Sequence, residues 1–213
     1  MILYLNCGYP ATDGTCSKGF DALKREVGLK TEKILATPHA KLTKCLRLGG
    51  IVPELRAKKL KEIARIVSRE FDGKLRAQLK KCMQEENKQR GQGVRTAKKV
   101  LQKFPAIGEP SADKILLFSA LAPVAAVPSA FVRVPMRLWF GQEGNNYAAD
   151  YRQSRDRLAA QLPETHDARQ RAYLLLKKHG QEICKGSAPK CQICPLTAEC
   201  AYIQAKAADS NAK

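Results

Sequence analysis

Near the C-terminal end of the chain stand four cysteines, Cys184, Cys191, Cys194 and Cys200, in the stretch ICKGSAPKCQICPLTAEC. Thiolates at this spacing, C-x6-C-x2-C-x5-C, can converge on one centre, and ligation by thiolates alone suits zinc or an iron–sulfur cluster. A structural zinc ribbon uses two separated CxxC knuckles, and here only Cys191 and Cys194 form one. The outer pair sits on longer arms, which suits a wider cubane of four irons; zinc is the next reading and a disulfide pair the last. Pro189 and Pro195 stiffen the turns, and Lys185 and Lys190 put cations on the loop.

The rest of the composition agrees with a chain that works in a reducing compartment. Four ligands leave Cys7, Cys16, Cys45 and Cys82, scattered without a pairing pattern and read as buried free thiols. No run approaches the roughly eighteen apolar residues of a membrane span, and the opening MILYLNCGYP lacks the basic flank of a signal peptide. The expectation is a soluble, cytoplasmic protein, nucleoid-associated if bacterial. A length of 213 residues allows one domain or two small lobes, and a formal charge of +18 points to a polyanionic partner. No helix is clearly amphipathic with an aromatic-rich apolar face, so no membrane partner is expected.

In chain order, a helix is expected to begin near Thr12, Asp13 or Thr15, any of which can cap it. Residues 31–48 carry short helical patterns with Leu42, Cys45 and Leu46 on one side. In GGIVPELRAKKLKEIARIVSREF, Leu60, Ile63, Ala64, Val67 and Phe71 follow helical spacing and should face a core, with Lys58, Lys59, Lys61 and Arg65 on the solvated side. From Asp72 to Gly93 the chain is polar and charge-mixed, and EENKQRGQG reads as a mobile loop. Further helices are expected around Tyr147–Leu162 and Ala168–Ile183. In the latter, Ala172, Leu175, Leu176, His179 and Ile183 share a stripe, which makes His179 a core or lobe-interface residue before a ligand. The tail AKAADSNAK is expected to fray.

One stop matters for the partner. A helix carrying Val94, Ala97, Val100, Leu101 and Phe104 ends at Phe104-Pro105-Ala106-Ile107-Gly108, and a second helix starts near Pro110. The pattern is helix-hairpin-helix, and its backbone N–H groups can hold a DNA phosphate without reading sequence. Pro110 suits a first helical turn. Ala106 replaces the usual first glycine, at a position where a positive φ costs alanine about 1 kcal/mol or more. In the second helix Ile115, Leu116 and Phe118 should be buried.

The cysteine spacing and the hairpin together resemble the endonuclease III and adenine-mismatch glycosylase branch of the helix-hairpin-helix DNA glycosylases, over nearly the whole chain. Ala11, Thr12 and Asp13 match a family motif whose preceding glutamine fills the gap left by an extruded base; Pro10 takes that place. The segment Gly50-Ile51 into the following helix is similar to the family's Gly-Leu/Ile turn. Family members carry one helix or more before this point, which implies a truncated start or a smaller cluster lobe here.

The resemblance implies an all-α fold of two lobes, with a hairpin lobe at 14–125 and a lobe at 126–213, joined by 1–13 and closed by a 4Fe–4S cluster loop. DNA would lie between them. It implies DNA contacts at Ala106, Ile107, Gly108 and Ser111, with Lys185 and Lys190 adding more, and a monomer acting on damaged or mismatched double-stranded DNA. Family chemistry breaks the base–sugar bond of a flipped nucleotide, using an aspartate and, in bifunctional members, a lysine that forms a Schiff base. Aligned on these motifs, Pro110 stands at the lysine and Pro128 at the aspartate, with Ala130 at a histidine, while Val127, Ser129, Arg133 and Val134 fit. Lysine-dependent strand cleavage is therefore not expected at that position. Residues 114–142 hold no Asp or Glu, so the substitutes nearest the hairpin are Asp113 and Lys114, about one turn beyond Pro110. Asp150 and Asp156 read as surface charges. Two functions follow: a base-excision repair glycosylase with an unusual catalytic set, or a DNA-binding lesion-recognition protein without that chemistry.

Overall fold

The computed structural model describes residues 1–10, 12–85 and 91–211, which places Ala11 of the Ala11-Thr12-Asp13 match outside the described residues. Among the described residues there are twelve α-helices and no strand. Two compact units divide them, Met1–Ile115 and Leu116–Lys213.

In the first unit, α1 (Ile2–Asn6), α2 (Asp13–Glu26), α3 (Thr31–Ala36), α4 (His39–Leu46) and α5 (Pro53–Phe71) pack together. The α2 start is set by Thr12, whose hydroxyl oxygen accepts from the Thr15 N–H at 3.3 Å, leaving fewer orphan donors in the first turn. Its end is set by Gly28, at φ +91°, whose N–H returns to the Leu23 carbonyl at 2.9 Å. Leu23, Leu42, Leu46 and Leu60 are wholly buried, each stabilising the unit by about 1.5–3 kcal/mol. Helices α6 (Leu75–Glu85) and α7 (Gln92–Gln102) pack on each other, and α8 (Glu109–Phe118) follows the hairpin.

The second unit contains α9 (Arg133–Phe140), α10 (Tyr147–Gln161), α11 (His166–Glu182) and α12 (Ala201–Asn211). Asn146 caps α10 by accepting from the Ala148 and Ala149 N–H groups, and Thr165 caps α11 by accepting from Ala168. Val127, Val132, Met136, Tyr151 and Leu158 form its core, beside a smaller cluster of Leu117, Ala126 and Tyr173.

The two units meet within α8, where Leu117 and Phe118 pack on Tyr173. Residues 1–10 lie in the first unit: the Tyr4 ring meets Phe20 edge-on at 5.6 Å and Asn6 reaches the hairpin. The polar stretch after Asp72 holds α6, which buries Leu79 and Cys82 and half-buries Leu75 and Met83. Within EENKQRGQG, Gln92 already opens α7, and residues 86–90 lie outside the described residues. Leu175 is 58% exposed, not on the packed stripe. The tail expected to fray is helical through Asn211. No helix among the described residues is long and apolar enough to cross a membrane.

Candidate nucleic-acid interface and metal centre

At the end of α7 the backbone tightens: the Phe104 N–H bonds the Leu101 carbonyl and the Ile107 N–H bonds the Phe104 carbonyl, both at 3.2 Å. Phe104 and Ile107 are buried and anchor the turn from inside. Between them Ala106 is exposed at φ +60°, the left-handed conformation expected from its place in the motif. Gly108 is also exposed, yet it does not need its missing side chain for internal reasons. Its φ is not left-handed, and an added Cβ would meet nothing closer than Pro110 Cδ at 3.9 Å. What the glycine leaves bare is backbone on the outer side, at the opening of α8, where N–H groups lack helical partners. Pro110 and Ser111 are half-buried there.

The hairpin is braced from the N-terminal segment. Asn6 Nδ2 donates to the Pro105 carbonyl at 3.1 Å. One residue on, the Cys7 carbonyl accepts from Arg56 Nη1 at 2.6 Å, while Nη2 and Nε of the same buried arginine donate to Gly50 and Ile51 at 2.8 and 3.0 Å. The Tyr9 N–H bonds the Gly49 carbonyl and the Ile51 N–H bonds the Tyr9 carbonyl, at 2.9 and 3.0 Å. Gly19 and Gly49 are required, since a Cβ on either would overlap the Cys7 carbonyl.

This bracing presents an apolar surface that the sequence reading missed. Tyr9 is 52% and Ile51 60% exposed, with Leu48, Val52 and Leu55 exposed beside them. Val52 holds φ +51°, a left-handed conformation that is costly for a β-branched residue and clusters at functional sites. The available signal was the apolar pair between Gly50 and Pro53, which no helical period buries.

Asp113 and Lys114, the two residues offered as substitutes, meet different neighbours. Asp113 is wholly buried, with Oδ1 2.7 Å from Lys98 Nζ on α7, and the same ammonium lies 3.6 Å from Glu109. Asp113 thus joins the two hairpin helices. Lys114 is half-buried near Cys16, whose thiol is pushed up by burial and drawn back in part by that ammonium.

In the second unit, Cys184, Cys191, Cys194 and Cys200 line one cavity of about 30 Å³, walled mainly by Val134, Leu138, Ile183, Leu196 and Ile203. Among the described residues no group of three or more His, Cys, Asp or Glu side chains is placed to hold a metal ion. Thr197 holds the knuckle by donating to the Cys191 and Cys194 carbonyls at 2.9 and 2.7 Å. Arg133 Nε donates to the Cys184 carbonyl at 3.1 Å, and Arg137 Nη1 lies 3.9 Å from its sulfur. Burial first, and then the neighbouring Cys200, push the Cys184 thiol up, while Arg137 and Arg133 draw it back, so a thiolate there has its cations at hand. His179 Nε2 is 3.8 Å from Cys194 Sγ and burial holds its pKa down; this histidine borders the cysteine cavity. Lys185 and Lys190 are exposed. Soft donors, apolar walls and a buried guanidinium fit a thiolate-ligated group.

No family model and no curated protein matches the chain. Solved structures do. A non-covalent endonuclease III–DNA complex superposes with a TM-score of 0.71 at 17% identity, covering 97% of this chain and 84% of that one. A trapped covalent endonuclease III–DNA intermediate gives the same values, and a thermostable thymine-DNA glycosylase gives 0.67 at 23%, covering 96% and 84%. The fold is that of the helix-hairpin-helix DNA glycosylases.

Within this fold, Pro110 and Pro128 are accommodated without strain. Pro110 is the second residue of α8, and the Ala112 N–H still closes on the Gly108 carbonyl at 2.9 Å. Pro128 is buried at φ −61°, heading the 3-10 turn Ser129–Phe131, and its carbonyl accepts from the Phe131 N–H at 2.8 Å.

Proposed function

We propose that this protein binds damaged or mismatched double-stranded DNA and serves base-excision repair on a glycosylase frame. The observation that carries the reading is the hairpin, where an exposed Gly108 with no internal need for glycine bares the opening of α8. A phosphate can approach that backbone closely. The exposed apolar side chains at Tyr9, Ile51 and Val52 suit insertion between base steps, as apolar wedges do in kinked duplexes. Cys184, Cys191, Cys194 and Cys200 would hold a 4Fe–4S cluster, which when bound crosslinks their loop and adds a redox centre. Lys185 and Lys190 then sit on a fixed loop and supply further phosphate contacts.

A second reading, recognition without base release, is favoured by one observation: Pro110 and Pro128 offer no proton or nucleophile, and Asp113 is buried in an ion pair. Single-turnover base release decides between them, with protein in excess over duplexes carrying oxidised pyrimidines, mismatches, uracil, alkylated purines or abasic sites. Release from any of these establishes a glycosylase; salt-sensitive binding with no release establishes a recognition protein. A log–log salt slope of about −3 or steeper is expected, reflecting about four phosphate contacts. Binding that is weak and flat with salt for every duplex overturns both readings.

A further inference from the structure

On α9, Arg133 and Arg137 stand one turn apart with different duties. Arg133 directs its donors to backbone carbonyls, at Ala130, Gly180 and Cys184. Arg137, only 8% exposed, reaches both ends of the cysteine loop. Its Nη1 donates to the Lys185 carbonyl at 2.7 Å and lies 3.9 Å from Cys184 Sγ, and its Nη2 donates to the Gly186 carbonyl at 2.8 Å. Its guanidinium stands 5.2 Å from the Tyr202 ring centre, just beyond the last cysteine, and its own carbonyl faces Cys200 Sγ at 3.8 Å. Glu143, a carboxylate paired with it at 2.8 Å, is half-exposed. Lys185 and Lys190 are exposed, and solvent screens their charge; that of Arg137 is turned inward on the thiols.

We infer that Arg137 is a positioning residue that holds the cysteine loop ready for its cluster and sets the cluster's reduction potential through Cys184. The inference rests on the cluster reading given above. Reduction adds one electron, supplied in the assay by dithionite, and moves no proton. A buried cation donating toward a ligand sulfur favours the more negative, reduced state. Removing it therefore drives the potential negative, and freeing the Lys185 and Gly186 carbonyls loosens the loop.

The test compares wild-type protein with Arg137→Gln, Arg137→Lys and Glu143→Gln after anaerobic assembly with iron and sulfide. Three quantities are measured: iron and sulfide per chain, midpoint potential against mediators, and the rate of iron loss to a chelator. Arg137→Gln is expected to lose iron about 10–100-fold faster, the usual scale for an outer-shell partner of a metal ligand, with a more negative potential. Arg137→Lys should recover the potential in part but not the retention, since one ammonium cannot serve two carbonyls and a sulfur. Glu143→Gln leaves the loop contacts in place and should shift the potential the opposite way, a readout that survives even if Arg137→Gln does not fold. Wild-type protein that assembles a cluster whose potential and retention are unmoved in all three variants overturns this inference alone. Wild-type protein that takes zinc, or no metal, overturns the cluster reading and this inference with it.

Discussion

The buried pair between the two hairpin helices permits a quantitative test. Lys98→Met keeps the aliphatic stem but removes the ammonium 2.7 Å from Asp113, a side chain with no exposure. Removing one partner of a buried pair costs about 3–5 kcal/mol, because the remaining charge stays buried without its counterion. Lys98 retains 17% exposure, so part of its site is wet and the lower end, about 3 kcal/mol, is expected. Asp113→Leu should cost less, about 1–2 kcal/mol, since Lys98 keeps Glu109 nearby and can turn toward solvent. Removing both charges replaces the pair with apolar packing and should leave stability within about 1 kcal/mol of wild type. The two single costs less that of the double variant then give a coupling of about 4–5 kcal/mol. Urea unfolding of the four proteins, followed by far-ultraviolet circular dichroism, measures it. A Lys98→Met cost below about 1 kcal/mol refutes the claim that this contact is a desolvated structural pair, and reopens Asp113 as an available carboxylate. The same variants in the base-release assay separate the roles: if Asp113 is structural, Asp113→Leu that remains folded retains whatever release the wild type shows.

Other expectations follow from single positions. Ala106→Gly relieves a left-handed alanine at φ +60° and should stabilise the protein by up to about 1 kcal/mol after the added unfolded-state entropy is subtracted; a loss of stability in urea would contradict the strain. Arg56→Lys keeps a charge but cannot serve the Cys7, Gly50 and Ile51 carbonyls together, and should cost about 2–3 kcal/mol while weakening duplex binding measured by fluorescence anisotropy. Burial, with Cys16 as the next cause, pushes the Cys7 thiol from 9.0 to about 12. The unfolded chain therefore releases this proton first, so stability is intact below pH 9 and falls as pH rises toward 12, by up to about 1.4 kcal/mol per pH unit. Urea midpoints across that range should fall less steeply for Cys7→Ala; an identical slope would show that Cys7 is not responsible.

The helices with strong apolar periods were legible in the sequence, and so was the hairpin. Leu60, Ile63 and Ala64 face inward as their spacing required, and Thr12 caps α2. The hairpin could be read because proline and glycine punctuate it and because Phe104 and Ile107 mark its inner side. Helix α6 was passed over although Leu75, Leu79, Cys82 and Met83 stand at helical spacing, because Arg76, Lys80 and Lys81 interleave them in a charge-mixed stretch. The cysteine loop showed its ligand types but not its supports. Arg137 lies far from the loop in sequence, and an arginine with 8% exposure is legible only when the carbonyls it serves are known. The apolar surface at Tyr9 and Ile51 was hidden for a related reason. Its exposure depends on Arg56 and two glycines drawing residues 7–9 against residues 49–51, contacts that no local pattern announces.

The prolines bear on how binding and chemistry separate. Proline at the second position of α8 forfeits no helical hydrogen bond and has the φ a helix needs, so the hairpin can hold a phosphate as well with Pro110 as with a lysine. At residue 110 what proline lacks is an amine. Pro110→Lys should therefore keep the fold and the affinity for duplex DNA, with added charge raising binding slightly at low salt. The new amine is expected to face the sugar of an abasic site and attack its aldehyde carbon, losing water to form a Schiff base that borohydride reduces to a stable adduct. Wild-type protein should give no such adduct, and Lys114→Ala in the Pro110→Lys background should not diminish it. Trapping by the wild type that disappears in Lys114→Ala would instead make Lys114 the nucleophile and end the recognition reading. A Pro110→Lys protein that binds as tightly as wild type and traps nothing would show that residue 110 does not face the sugar, and the assignment of this position would fall.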